Sequence, residues 1–308
     1  MKRPLAAVAA SIVLLAVACA LIVERALHRP RLAITPVDHA AARDLAGGVG
    51  AALDTITIAA GDGVSLEGWL FTPRDANGHG VALLHGIASN RAAMLPAARM
   101  FLEHGYRALA VDARAHGASG GTAGTLGALE AGDLRLWLGR LVSSVPGGCV
   151  YAFGQSLAGS FALQASDAPE LCAVVAEAAF ADVREIAFDR TGQQFGAGPW
   201  VGRVLLRPGI EVAFAYARLR FGADLGQASA LRTVAQPGAP ILLIHGVQDD
   251  NTPKRHAELI AAANPSRVSL WLVPGGHESI QRSAGAGYAE RIMSFLSSHR
   301  DRKRGVSK

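Results

Sequence analysis

Three short strings hold residue types that could do covalent chemistry together. Tyr151-Ala152-Phe153-Gly154-Gln155-Ser156-Leu157-Ala158-Gly159 is an apolar run ending in a serine framed by small residues. That pattern reads as a strand turning sharply into a helix, with one hydroxyl at the tip of the turn. A serine held there has a strained backbone, so its near neighbours must be small. A serine hydroxyl is a poor nucleophile at neutral pH and needs a base within hydrogen-bond reach. Downstream, Ile241-Leu242-Leu243-Ile244-His245-Gly246 runs into the polar turn Val247-Gln248-Asp249-Asp250-Asn251-Thr252-Pro253. Trp271-Leu272-Val273-Pro274-Gly275-Gly276-His277-Glu278 is a further strand pattern ending at a glycine pair and a histidine. Serine, acid and histidine thus each follow an apolar strand, and the ends of parallel strands are where an open sheet keeps its chemistry.

In that order, on those strand ends, the chain resembles the α/β-hydrolase superfamily. It is most similar to the serine aminopeptidase-like and monoacylglycerol-lipase-like branch. The residues that carry the resemblance are Leu83-Leu84-His85-Gly86-Ile87, Asp112-Ala113-Arg114-Ala115-His116-Gly117-Ala118-Ser119-Gly120-Gly121, and the Ser156, Asp249 and His277 segments. It covers residues 53–299. Family members carry glycine where Ala115 and Ala158 stand, and both departures are single methyls.

The resemblance implies Ser156 as nucleophile, His277 as base and Asp249 as the acid that holds the histidine tautomer and stabilises its cation. Asp250 is the rival acid, but the spacing to Pro253 favours Asp249. The tetrahedral oxyanion needs preorganised donors. The backbone N–H groups of Leu157, after the nucleophile, and of Ile87, after His85-Gly86, are the candidates. His85, His116 and His245 read as loop-ordering residues, Asp112 as structural, and His256 as an exposed helix position. No metal or organic cofactor is required. The expected function is that of a membrane-anchored serine hydrolase, which cleaves a small-molecule carboxylic ester or acyl compound, acyl lipids included, through an acyl-enzyme intermediate. Peptidase-type amide hydrolysis, acyl transfer and a catalytically silent binding module remain the alternatives.

Alternating strand and helix patterns supply the scaffold. The fold expected is α/β: a mostly parallel central sheet with helices on both faces, opened by a hairpin around Gly61-Asp62-Gly63. Residues 184–226 break the alternation with Phe188, Phe195, Trp200, Phe214, Tyr216 and Phe221. In the family resembled, that position hosts a cap over the active site. These aromatics are expected either to line an acyl pocket or to form the cap's own core.

The N-terminus carries a separate signal. Lys2 and Arg3 precede an uncharged stretch over 5–23, closed by Glu24, Arg25, His28, Arg29 and Arg31. As a helix it would be roughly 28 Å long, against a hydrocarbon core of about 30 Å. Residues 1–30 are therefore expected to be a transmembrane signal anchor, with the catalytic domain on the extracytoplasmic side. A cleaved leader ending at Ala16-Val17-Ala18, or a lipidated Cys19, are rival readings. A spacer over 31–52, with room for a short helix lying on the domain, would link the anchor to the catalytic domain at 53–299.

Composition adds bounds. The formal net charge of +5 comes partly from the basic tail at 300–308, which reads as a solvated end, with contact to anionic lipid as its rival. No basic stripe interleaved with aromatics points to nucleic acid. Cys149 and Cys172 each open an apolar strand and read as small buried hydrophobes, no Cys-x-x-Cys occurs to suggest zinc or a dithiol, and a single disulfide is left open without any feature that calls for it.

Overall fold

The computed structural model describes residues 2–300, with side chains from residue 10 onward except 12. The basic tail beyond 300 lies outside the described residues. Two helices, α1 (Lys2–Leu27) and α2 (Pro36–Gly48), precede β1 (Ala51–Ala59), β2 (Ser65–Pro73), β3 (Gly80–Leu84), α3 (Leu95–Glu103) and β4 (Arg107–Val111). Then come α4 (Glu130–Ser144), β5 (Val150–Gln155), α5 (Leu157–Gln164) and β6 (Leu171–Glu177). Inserted next are α6 (Val183–Gln194), a π-helical turn (Val201–Leu205), α7 (Arg207–Phe221) and α8 (Ala230–Ala235). The chain closes with β7 (Ile241–Gly246), α9 (Arg255–Ala263), β8 (Val268–Val273), α10 (Ile280–Ala284) and α11 (Gly287–Ser297).

The eight strands form one sheet in the order β1-β2-β4-β3-β5-β6-β7-β8. Only β2 runs against its neighbours, pairing antiparallel with β1 and β4, while the pairs from β4 to β8 are parallel. β3, β6 and β7 are buried at every position. Strands covered on both faces read as continuous apolar runs. Because side chains alternate across a strand, Ala82, Ala152, Val174 and Leu243 join one core, and Leu83, Phe153, Val175 and Ile244 the other. From β3 the chain passes to β4 on one side and later to β5 on the other. The loops leaving β3 and β5 therefore open at a switch point, where such sheets form a crevice.

The N-terminal expectation is corrected here. The uncharged stretch is helical within α1, yet among the described residues no helix is long and apolar enough to cross a membrane. The second half of α1 instead docks on the protein. Cys19, Val23 and Leu27 are 6%, 4% and 2% exposed, a stripe at every fourth residue against α7 and the sheet body. Burying a Val or Leu in this way is worth about 1.5–3 kcal/mol each. Polar contacts fix the register. The Tyr216 hydroxyl donates to Glu24 at 2.6 Å, Arg220 pairs with Glu24 at 3.5 Å, and the Gly124 N–H donates to the Leu27 carbonyl at 2.9 Å. This overturns the single-pass anchor expected over 1–30, and with it the membrane attachment on which the extracytoplasmic placement rested.

The stretch 31–52, read as a spacer with room for a short helix on the domain, contains α2, capped by a reciprocal Thr35–Asp38 box and packed on β1 and under Trp69. The reading of two cysteines as separate buried hydrophobes differs. Cys149 and Cys172 are joined in a disulfide, because β5 and β6 are neighbouring parallel strands that bring their Cα atoms to 5.6 Å.

Candidate active site

Ser156 stands between β5 and α5 with φ 55° and ψ −119°, a conformation non-glycine residues rarely adopt. Such a residue costs on the order of 1–3 kcal/mol and persists only where its surroundings over-determine it. They do. The Ser156 N–H donates to the Glu177 carbonyl at 2.8 Å, tying the turn to the end of β6. A Cβ on Gly154 would come within 2.5 Å of the Ala158 carbonyl oxygen, so only glycine lets strand and helix approach this closely. The methyl of Ala158 is fully buried without obstruction.

The three strand ends meet. Ser156 Oγ lies 2.8 Å from His277 Nε2, and His277 Nδ1 lies 2.7 Å from Asp249 Oδ2. With Nδ1–H donating to the carboxylate, the Nε2 lone pair faces the serine hydroxyl. The second Asp249 oxygen accepts the Thr252 N–H at 2.7 Å, so the buried carboxylate is held by its own loop. His245 donates to the Thr252 carbonyl at 2.7 Å and braces that loop. Burial pushes the His245 pKa down and so favours the neutral ring, although the bond to the Thr252 carbonyl works the other way. Gln248 accepts the Gly275 N–H, which joins the acid loop to the histidine turn. Asp250 is outside this chain of bonds. Its carbonyl accepts Gln193 Nε2 from α6 at 2.7 Å.

On the other side of Ser156, the His85 ring donates to the Gly86 carbonyl at 2.8 Å and accepts the Ala113 N–H at 3.2 Å. Burial drives its pKa down to about 3, so the ring stays neutral and fixes the loop that carries Ile87. Ile87 and Leu157 both line the cavity beside Ser156. Among the described residues neither backbone N–H has a protein acceptor, and Leu157 is the first residue of α5, where the helix dipole favours negative charge. His116 donates to the Arg114 carbonyl at 2.9 Å and Asp112 pairs with Arg91 at 3.0 Å, so the bonds of both go to other groups than the serine.

The cavity has a volume of about 1000 Å³. Its walls come from the β3 and β5 loops, from α6 and α7, and from α1. Of the six aromatics in the insertion, only Phe214 lines it. Phe195 and Trp200 are 65% and 57% exposed, Phe188 packs beneath Arg203, Tyr216 holds Glu24, and Phe221 meets His28. Among the described residues, four of the five non-glycine residues with positive φ line the cavity, namely Ala88, Leu126, Ser156 and Ala178, so backbone strain concentrates around this space.

Sequence reasoning missed two buried acids. Glu177 ends β6 next to the elbow; it accepts the Tyr288 hydroxyl at 2.6 Å and Gln155 Nε2 at 2.7 Å. Burial raises its pKa. An acid closing the apolar run Ala173-Val174-Val175-Ala176-Glu177 was the available signal. The other is Asp189 of α6, 2.6 Å from His256 Nε2. His256 is fully buried, correcting the exposed helix position expected for it. Among the described residues no group of three or more His, Cys, Asp and Glu side chains is arranged to hold a metal ion.

A mostly parallel sheet with a strained serine at its switch point, facing a histidine and an acid from later strands, defines an α/β-hydrolase fold. The chain belongs to the alpha/beta hydrolase family, whose profile matches residues 81–291. Among curated proteins it is similar to the uncharacterized protein YqkD of Bacillus subtilis (strain 168), 24% identical over 78% of this chain and 77% of that one. It is likewise 24% identical to YfhR of Escherichia coli (strain K12), over 79% of this chain and 80% of that protein. Among solved structures, the Pyrococcus furiosus esterase Pf2001 superposes with a TM-score of 0.64 at 25% identity, covering 88% of this chain and 98% of that one. The Pyrococcus horikoshii acylaminoacyl peptidase shares the fold at a TM-score of 0.61 and 16% identity, over 81% of this chain and 42% of its own.

Proposed function

We propose that this protein is a serine hydrolase that cleaves a carboxylic ester with an apolar acyl group. The observation that carries the reading is the unbroken Ser156–His277–Asp249 chain, at 2.8 and 2.7 Å, opening into a largely apolar cavity of about 1000 Å³. His277 Nε2 takes the proton as Ser156 Oγ attacks the ester carbonyl, and Asp249 stabilises the resulting imidazolium. The N–H groups of Ile87 and Leu157 receive the developing oxyanion, and each such donor is worth about 100- to 1000-fold in rate. The imidazolium returns its proton to the leaving alcohol, which departs and leaves an acyl-Ser156. Water enters, His277 removes its proton, and the second tetrahedral intermediate collapses to release the acid and free serine.

The inserted helices between β6 and β7 support a place near the monoacylglycerol-lipase-like branch, since they stand over the serine as a cap. Likeness to an esterase favours ester over amide as the bond cleaved.

Labelling with a fluorophosphonate tests the reading, because only an activated serine reacts. The wild-type protein is expected to label and Ser156→Ala to be inert while still folded. The same wild type should hydrolyse p-nitrophenyl esters far faster than the matching anilides. A folded wild type that neither labels nor turns over any ester would mark the chain as a silent binding module. Faster anilide cleavage would make it a peptidase.

A further inference from the structure

We infer that the last two turns of α1 form one wall of the substrate cavity and set the length of acyl chain it accepts. The inference rests on the ester-hydrolase reading for the identity of the substrate, but the wall itself is a matter of geometry.

Val23, Ala26 and Leu27 line the same cavity as Ser156, spaced to share one face of the helix. Leu27 also borders a small recess shared with Ile87 and Leu157, the two residues whose N–H groups flank the serine. The stretch that looked like a membrane span thus reaches the neighbourhood of the reacting carbonyl. Beside it, Ile210, Ala213 and Phe214 turn the inner face of α7 to the same space. The two helices make a continuous apolar wall.

That wall is fastened at several points. Cys19 Sγ donates to the Gly209 carbonyl at 3.3 Å at the start of α7, and Glu24 is held by Tyr216 and Arg220 near its end. Beyond α1, the Leu27 carbonyl accepts the Gly124 N–H at 2.9 Å and Arg31 donates to the Gly121 carbonyl at 2.7 Å. α1 is therefore tied both to the cap and to the loop after β4. Held at both ends, it cannot yield freely to a long chain, so the bulk of its side chains fixes the space. The ligand it fits is an apolar acyl chain, because the α1 groups that line the cavity, Ile22, Val23, Ala26 and Leu27, are hydrocarbon, with Arg29 lining it just past the end of the helix.

The test uses the full chain with Ala26→Trp, which fills the cavity, and Leu27→Ala, which enlarges it. Two readouts are taken. One is kcat/KM across p-nitrophenyl esters from acetate to dodecanoate. The other is equilibrium binding of n-alkanols from butanol to decanol by calorimetry, which needs no catalysis. Ala26→Trp is expected to lower the long-to-short ratio of kcat/KM by roughly 10-fold or more and to weaken decanol more than butanol. Leu27→Ala should move both optima to longer chains. Should Ala26→Trp fail to fold, Ala26→Leu replaces it with a smaller shift in the same direction. Unchanged profiles in folded variants, or no alkanol binding by the wild type, would overturn the inference. An absence of ester turnover with alkanol binding still governed by Ala26 and Leu27 would instead sink the hydrolase reading and leave the wall standing.

Discussion

The molecule contains two aspartate–histidine pairs of nearly identical length in opposite surroundings. Asp249–His277 is 2.7 Å long and Asp189–His256 is 2.6 Å. Both carboxylates are buried. What separates the pairs is the far nitrogen of each ring. His277 turns Nε2 to Ser156 Oγ at the cavity edge, where a proton can be taken and returned. His256 turns Nδ1 to the Ala181 N–H at 3.2 Å, and Arg255 shares its aspartate. Both nitrogens of His256 are occupied by the fold. The second pair is a tie between α6 of the cap and α9 of the body. An aspartate beside a histidine therefore says nothing about catalysis until the partner of the other nitrogen is known.

The widest separation between the pairs should come from removing the rings. His277→Ala is expected to lower kcat/KM by about 10⁴- to 10⁶-fold with little loss of stability. His256→Ala should do the reverse. It removes a buried hydrogen bond and leaves a cavity, costing about 2–4 kcal/mol of unfolding free energy. Activity per folded molecule should change little. Ester kinetics paired with urea unfolding of both variants would decide it. Equal losses of activity in the two would mean that the tie at His256 also positions the site.

A gentler change divides the acids. Asp249→Asn keeps shape but cannot hold the His277 tautomer, and a drop of about 10⁴-fold in kcat is expected. Asp189→Asn should leave kcat within the same order as the wild type, since its contacts stop at His256 and Arg255. A large fall in kcat for Asp189→Asn would show that cap docking limits turnover, and the division between the pairs would fail.

How much of this was legible in the sequence follows from the range of each interaction. Ser156, Asp249 and His277, which the fold brings within hydrogen-bond reach of one another, were legible as candidates because each follows its own apolar run, a local pattern. β3, β5 and β7 were legible for the same reason. The fate of α1 was not. Apolar residues at 5–23 look alike whether they face hydrocarbon or a neighbouring helix, and the contact that decides, Glu24 to Tyr216, spans 192 positions. His256 was misjudged as exposed because its partner lies 67 positions earlier, on the cap. The Cys149–Cys172 bond depends on β5 and β6 being neighbours, which is topology rather than spacing. The positive φ of Ala88 and Ala178 left no mark in residue type at all.

The smallest effects expected are in the pH dependence of stability, where the cap pair meets a different comparison. Burial would raise the Asp189 carboxyl, but hydrogen bonds from His256 and Arg255 outweigh it, and the pKa lies below its usual value. Glu177 has only the neutral donors Tyr288 and Gln155, so burial prevails and its pKa lies above. The signs are opposite. Stability from Asp189 is present above the unfolded carboxyl value of about 3.9 and is lost as pH falls through its lower folded value. Glu177 favours the fold while protonated. Its contribution is complete below an unfolded value of about 4.3 and declines as pH rises through its higher folded value. Urea unfolding across acid to neutral pH should therefore show a shallower acid-side loss in Asp189→Asn. Glu177→Gln, which keeps an acceptor for Tyr288, should lack the decline towards neutral pH. A wild-type slope retained in Glu177→Gln would mean that the fold does not favour Glu177 as the acid, and a steeper decline than the wild type's would mean that it is held as the anion beside His277, so that the buried acid behind the nucleophile belongs with the charged groups of the site.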